Sequence, residues 1–472
     1  MNENQLKDYL DQAWQMIQRN GFDNPKKVLL KNEPTEIKQL LSQDLPINPT
    51  DFSNLITDFE QQILPGLNYN TSPNFGAYIT GSGNKVGALA DFLKSFYNQN
   101  GLKWNNSPIT SELEQLVIRW VAEFCMVADH NTGVLTSGGS MSNLMSIHFA
   151  LAKKYPNREM NGLFGSYKFT VYSSDQTHSS IDRAMVFLGL GRNQLRKIQT
   201  NDHFHIDIDA LEKAIMDDLK AGNVPLVVIG NAGTTNTGSI DPLNEIAEVA
   251  KKYDIWFHVD GAYGLPAIRL PELSSQFQGV EKADSIIINP HKWMYVPFEA
   301  SCVLLKEIPE AIHFSPDYLF TENPGDRWES SNHTIELSKE FRALKVWFTL
   351  KYYGVNQLTS YIKHDINMIQ YLAEKLATDF QVEPNHDLSI LCFRYDDPSK
   401  DDIDNERINI EALRTIESEG NIFITGTKLH GKTHLRVYYG NPERTEEDVD
   451  YMVDVIKSTF NQLAKRNRIV QN

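Results

Sequence analysis

Between Thr110 and Leu305, short and almost wholly apolar runs alternate with amphipathic helical periods, and this alternation restricts the architectures open to the chain. The runs Phe169–Ser173, Leu195–Gln199, Leu226–Asn231, Ile255–Asp260, Ser285–Asn289 and Cys302–Leu305 read as strands. Strands so apolar must be covered on both faces, which predicts an α/β fold with a mostly parallel sheet flanked by helices. Helical periods fill the intervals. One starts near Ser111 with Leu113, Leu116, Val117 and Trp120 on one face, and Met141–Tyr155 places Leu144, Ile147, His148 and Leu151 on another. Ile208–Leu219 and Pro242–Tyr253 follow, with Pro242 suited to a first helical position. In such sheets ligands sit beyond the carboxyl ends of the strands.

The texture differs on either side. Residues 1–85 read as helices broken by turn-rich pieces such as Leu45-Pro46-Ile47-Asn48-Pro49. They are too short to bury their apolar faces well alone, which predicts packing across a two-fold homodimer interface. Residues 86–350 hold the large α/β domain. Residues 351–472 mix helical stretches (Leu358–Thr378, Ile408–Gly420) with strand-like runs (Ser389–Tyr395, Thr433–Tyr439) and predict a smaller α+β domain.

The formal charge of −16 argues against nucleic acid or an anionic membrane surface as the main partner, so an anionic ligand must be held by a local set of donors. No run approaches the ~18 apolar residues of a membrane span. The polar N-terminus lacks the apolar core of a signal peptide, and Cys125, Cys302 and Cys392 are spaced as buried thiols rather than as a zinc site. These features point to a cytoplasmic protein.

Three features fall at strand ends. Thr136-Ser137-Gly138-Gly139-Ser140-Met141-Ser142-Asn143 precedes a helix. Its glycines and free N–H groups could cradle an anion, or simply start the helix. Asp260, in His258-Val259-Asp260-Gly261-Ala262-Tyr263, could be a helix cap, a metal ligand or the partner of a cofactor nitrogen. Lys292, in Asn289-Pro290-His291-Lys292-Trp293, could be a solvated charge. Desolvated beside a buried strand, it could instead be a nucleophilic amine. Taken together, a cradle, an acid and a neutral lysine at the ends of one sheet are what pyridoxal 5′-phosphate (PLP) requires: phosphate site, pyridinium partner and Schiff-base amine. The run Asp202-His203-Phe204-His205-Ile206-Asp207 superficially resembles a metal cluster, but Asp207 with Asp209 and Glu212 reads as a helix start, and no metal site is expected.

From Thr71 to Tyr439 the chain resembles the group II PLP-dependent amino-acid decarboxylases, which act on aromatic amino acids, histidine, glutamate and tyrosine. Asn289–Trp293 fits that family's lysine motif and His258–Tyr263 its acid motif. Asp175-Gln176-Thr177-His178-Ser179-Ser180, Gly233-Thr234-Thr235 and Phe341–Trp347 also match. The resemblance implies fold type I and an amino-acid decarboxylase in which Lys292 carries PLP as a Schiff base. It further implies that His178 stacks on the ring, Asp260 meets its nitrogen, and Ala262 packs on the other face. Ser140, Met141, Asn289 and His291 would hold the phosphate, with Thr235 near the ring hydroxyl. Tyr318, in Ser315-Pro316-Asp317-Tyr318-Leu319, would protonate the substrate α-carbon after CO₂ leaves.

The substrate is less legible. In the family the Ser72–Tyr78 segment contributes side-chain contacts to substrate, often from the partner subunit of a dimer. Arg436 falls where fold type I enzymes often bring an arginine toward substrate, a surface salt bridge being its alternative. Phe75 and Trp104 suit an aromatic amino acid, whereas Asn74 replaces an aromatic residue expected in the animal aromatic decarboxylases. An acidic substrate is the alternative. A second rival is oxidative deamination to an aldehyde, whose practitioners typically replace the loop tyrosine or the stacking histidine. This chain retains both Tyr318 and His178.

Overall fold

All six apolar runs are strands, and a seventh joins them at one edge of the same sheet. The computed structural model describes residues 1–21, 28–29, 33–163, 168–309, 327–384 and 387–470. Its large unit, Ile79–Ile369 with Glu383–Leu391, is built on β1 (Thr132–Thr136), β2 (Phe169–Ser174), β3 (Leu195–Ile198), β4 (Val224–Asn231), β5 (Trp256–Asp260), β6 (Ser285–Ile288) and β7 (Ser301–Leu305). The order is β1-β7-β6-β5-β4-β2-β3. Only β7 opposes the others, pairing antiparallel with both β6 and β1, so the carboxyl ends of β1, β2, β4, β5 and β6 lie along one edge. The sheet is the mostly parallel one predicted. The missed strand, β1, carries Gly133, where a Cβ would lie 1.9 Å from the Val303 carbonyl oxygen of β7. A glycine admitting a neighbouring backbone so closely also erases the apolar signature of a strand.

Two helices depart from the predicted faces. Pro108–Phe124 buries Ser111, Glu114, Val117, Ile118 and Val121, leaving Leu113, Leu116 and Trp120 half-buried. The cause is Glu114. Its carboxylate accepts the backbone N–H of Leu135 on edge strand β1 at 3.0 Å and pairs with the buried Lys339 at 2.6 Å, so this acid, not the leucines, turns inward. Gly139–Lys154 is buried nearly all round: Ser142, Asn143, Met145 and Ser146 are covered as well as Ile147 and Leu151. Pro242 is the N-cap of a helix that begins at Leu243, one position earlier than its expected role. Asp207 caps Ile208–Lys220, its side chain accepting from Ala210 N–H at 3.0 Å.

The second unit, Met1–Tyr78 with Gln370–Val382 and Cys392–Asn472, carries a small sheet of β8 (Gln381–Val382), β9 (Ile390–Arg394), β10 (Thr425–Leu429) and β11 (Lys432–Tyr438), ordered β10-β11-β9-β8. His430 and Gly431, both at positive φ, close the β10–β11 hairpin. The helices Asp402–Glu419 and Glu446–Val470 belong to this unit. The three cysteines are buried, and no helix among the described residues is long and apolar enough to cross a membrane.

Candidate active site

Lys292 stands four residues past β6, on a loop anchored at several points. Its N–H donates to the Asn289 carbonyl at 2.8 Å. The flanking Trp293 and Tyr295 both donate to Asp365, at 3.0 and 2.7 Å, and Trp293 stacks on Tyr263. Burial lowers the Lys292 pKa and the carboxylate of Asp260 raises it, with burial prevailing, so the neutral amine is accessible nearer neutrality than in an exposed lysine. A residue the sequence reading missed fixes this loop from the other side. A Cβ at Gly81 would lie 2.2 Å from the Lys292 carbonyl oxygen and 2.9 Å from that of His291. Gly81→Ala must therefore push backbone against backbone, and should cost about 1–3 kcal/mol of stability as well as weakening cofactor retention. A urea midpoint and cofactor affinity equal to wild type would show that the loop yields freely.

Asp260 ends β5 beside Asn231 of β4. Both its oxygens accept from neutral amides: Oδ1 from Ala262 N–H at 3.2 Å and Oδ2 from Asn143 Nδ2 at 3.0 Å. Asn143 also meets His258 Nε2 at 2.9 Å through Oδ1 and Ser180 Oγ at 2.9 Å through Nδ2. Burial drives the His258 pKa down to about 4, which keeps it neutral, and its Nδ1 meets Ser285 Oγ at 2.8 Å. His178 lies on the loop after β2. It is solvent-exposed, yet the protein around it lowers its pKa, with Asp260 raising and Lys292 further lowering it. Its Nδ1 lies 2.9 Å from Ser180 Oγ and accepts the Ser180 N–H at 3.2 Å. Behind this loop, Asn231 Nδ2 reaches Thr177 Oγ1 at 2.9 Å and Asp241 at 2.7 Å; burial raises the Asp241 pKa to about 6.

At the end of β1, Gly138 at φ 137° introduces the helix Gly139–Lys154 without a side-chain cap, so the first N–H groups, those of Ser140 and Met141 among them, have no carbonyl a turn behind them. Asn289 stands directly against this terminus, for a Cβ on Gly139 would lie 2.8 Å from its Nδ2. A column of buried hydroxyls sets the amide: Thr136 Oγ1 to Ser142 Oγ at 2.7 Å, Ser142 to Ser301 Oγ at 2.7 Å, and Ser301 donating to Asn289 Oδ1 at 2.6 Å. That leaves Nδ2 of Asn289 as the donor facing the helix end. His291 is buried, its pKa down to about 3 from burial and then from Lys292. Lys345, of the Phe341–Trp347 motif, donates to the Phe298 carbonyl at 2.8 Å and steadies the turn after Lys292.

The large unit thus brings together Lys292, Asp260, His178, Ser140, Met141, Asn289 and His291 at one sheet edge, with the buried Ala262 two residues after Asp260 and the half-buried Thr235 after β4. Trp104 is in the same unit, donating to Glu112 at 3.0 Å beneath the Arg327 guanidinium. Asn74, Phe75 and Arg436 belong to the other unit. There Phe75 is buried in a cluster with Val28, Leu29, Ala77 and Phe423, while Tyr78 is 57 % exposed. Arg436 is buried, with Nε donating to Thr425 Oγ1 at 3.2 Å. Arg444 donates to the carbonyls of Pro73 and Phe75, at 2.7 and 3.1 Å, and fixes the path of that segment. Tyr318 lies outside the described residues. Asn143 and Ser180 lie inside motifs visible in the sequence but without a role there, and Gly81 escapes it altogether, because a polar residue on a helix or a glycine in a loop has no periodicity to betray it.

Comparison with known proteins gives concordant matches. Residues 34–396 match the family model described as "Pyridoxal-dependent decarboxylase conserved domain". The aromatic-L-amino-acid decarboxylase of Bacillus atrophaeus is 33% identical over 437 residues, covering 91% of this chain and 89% of its own. Tryptophan decarboxylase 2 of Oryza sativa subsp. japonica is 31% identical, with 90% and 88% covered. The crystal structure of Oryza sativa TDC with PLP and tryptamine superimposes with a TM-score of 0.92 at 25% identity, covering 98% of this chain and 99% of that one.

Proposed function

The chain belongs to the pyridoxal-dependent decarboxylase family and is a PLP-dependent amino-acid decarboxylase of fold type I, and from that premise we propose that its substrates are aromatic L-amino acids. The observation that carries the substrate class is the run of relatives above 30% identity, across about nine-tenths of the chain, named for aromatic amino acids, tryptophan and tyrosine. The residues present fit the cofactor. An uncapped helix start closed in by Asn289 suits a phosphate. A carboxylate whose oxygens take only neutral donors is available to a pyridinium, and a desolvated lysine suits an aldehyde.

In this reading the N–H groups of Ser140 and Met141, with Asn289 and His291, hold the phosphate, and Thr235 lies by the ring hydroxyl. Asp260 keeps a proton on the ring nitrogen, while His178 and Ala262 bracket the ring. Lys292 uses its unprotonated Nζ to hold the cofactor and later to release product. Bound PLP supplies an electron sink for the pair left when CO₂ departs. Tyr318 then delivers its phenolic proton to the substrate α-carbon, which directs the outcome to amine rather than aldehyde. Asn74, Phe75, Trp104 and Arg436 are proposed on the substrate side.

A cytoplasmic homodimer completes the proposal, with residues 1–85 packing across its interface. Leu45 and Ile47, 88 % and 94 % exposed, supply apolar surface for a second copy to cover. The test of substrate class is CO₂ and amine release from tryptophan, tyrosine and phenylalanine against glutamate and aspartate. Aromatic substrates should lead in kcat/KM by about 100-fold or more, since an apolar pocket leaves a second carboxylate unpaired. Preference for glutamate or aspartate would overturn the assignment.

A further inference from the structure

One buried amide bonds Asp260 directly and reaches His178 through Ser180. Asn143 is 1 % exposed, on the inward face of Gly139–Lys154, and its three side-chain hydrogen bonds all go to residues around the site. Nδ2 has two protons and two partners, Asp260 Oδ2 at 3.0 Å and Ser180 Oγ at 2.9 Å. Oδ1 faces His258 Nε2 at 2.9 Å. Reversing the amide would set its oxygen against the Asp260 carboxylate, so the orientation follows from the partners.

Proton positions then follow along the chain of bonds. His258 must carry its proton on Nε2 to donate to Asn143, so its Nδ1 accepts from Ser285 Oγ at 2.8 Å, and the Ser285 carbonyl, 3.2 Å from the same Nδ1, receives no proton from it. That hydroxyl in turn accepts from Trp256 Nε1 at 2.8 Å. In the other direction, Ser180 Oγ accepts from Asn143 and is left to donate to His178 Nδ1 at 2.9 Å, where the Ser180 N–H also points. A nitrogen that receives two donors carries no proton. The His178 proton is therefore on Nε2.

We propose that Asn143 is a positioning residue for the reaction, holding the Asp260 carboxylate and, by turning the Ser180 hydroxyl toward His178 Nδ1, orienting the His178 ring from the same amide. The inference rests on the reading of Asp260 and His178 given above. A cofactor that reorients Asp260 must then also loosen His178, and the converse holds. Neither can be tuned alone.

The test uses apoprotein labelled with ¹⁵N-histidine, and separately the PLP-loaded enzyme, for wild type and Asn143→Leu. Wild-type apoprotein should show His178 and His258 each as a single neutral Nε2–H tautomer at pH 7. In Asn143→Leu, an apolar side chain of similar size, the Ser180 N–H still holds the Nε2–H tautomer, but the His178 Nδ1 resonance should shift, because Ser180 Oγ has lost the donor that turns its proton toward Nδ1. On the loaded variant, kcat should fall about 10- to 100-fold, the scale of losing a residue that orients a site group, with KM changed less than threefold and PLP still bound. A wild-type His178 protonated on Nδ1 overturns the proposal even if no variant folds. So does an Asn143→Leu protein with an unshifted His178 Nδ1 resonance and wild-type kcat. Failure of the functional reading is distinguishable, because wild type would then neither bind PLP nor release CO₂ while the apoprotein spectra stood unchanged.

Discussion

Lys292→Ala is expected to lower kcat by about 10⁶-fold, the scale on which enzymes suffer when a covalent nucleophile is deleted. Burial lowers the lysine pKa against the upward pull of Asp260, which favours the nucleophilic neutral amine relative to an exposed lysine. Alanine removes that amine while leaving the loop intact, since Trp293 and Tyr295 still donate to Asp365 and the backbone turn still closes on Asn289. The fold should survive and the cofactor should bind non-covalently at the helix terminus. Two readouts separate this from general damage. Borohydride should leave no pyridoxyl group attached to the variant, whereas wild type is labelled at Lys292. A small amine such as methylamine should restore part of the turnover, because it can replace the missing nucleophile. A persistent adduct on another lysine would show that Lys292 is not the attachment point.

Asp260→Ala ranks second in expected effect. It should lose at least two to three powers of ten in kcat, about 3–4 kcal/mol or more, as when a principal electrostatic stabiliser is removed. The carboxylate acts by keeping a proton on the ring nitrogen, which is what lets the ring accept electrons, and its two oxygens are held by Ala262 and Asn143. Cofactor binding should persist, because Gly138, Gly139 and Asn289 are untouched. Asp260→Ala also leaves an Asn143 proton without an acceptor at a buried position, which adds a stability cost of about 1–3 kcal/mol. Asp260→Asn separates the two terms: it keeps the size but not the charge, so its kcat should stay low. An Asp260→Asn enzyme with near-normal turnover would reduce Asp260 to a structural cap.

Much of this architecture was legible in the residues. Strands so apolar announced a covered parallel sheet, and Asp260 and Lys292 were visible because each ends an apolar run. The limits have physical causes. β1 was silent because Gly133 yields its side-chain space to β7. The inward face of Pro108–Phe124 was misread because Glu114 is buried as half of an ion pair with Lys339, and an acid in a helical stripe normally signals solvent. Phe75 packs in a cluster with Val28, Leu29, Ala77 and Phe423, neighbours that the linear sequence does not announce. The role of Asn143 could not be found from sequence, since its importance lies in what three other segments bring to it.

The column from Thr136 through Ser142 and Ser301 to Asn289 has a direction. The Asn289 oxygen can only accept, so Ser301 gives its proton to it, Ser142 gives to Ser301, and Thr136 gives to Ser142. Each alcohol therefore depends on the one before it. Evolution can lose the column or keep it, but dropping one member strands the next. Positions 136, 142 and 301 should consequently drift as a block across relatives, drawn from helix and strands far apart in the chain, and a lineage that abandons one should be found to have replaced all three.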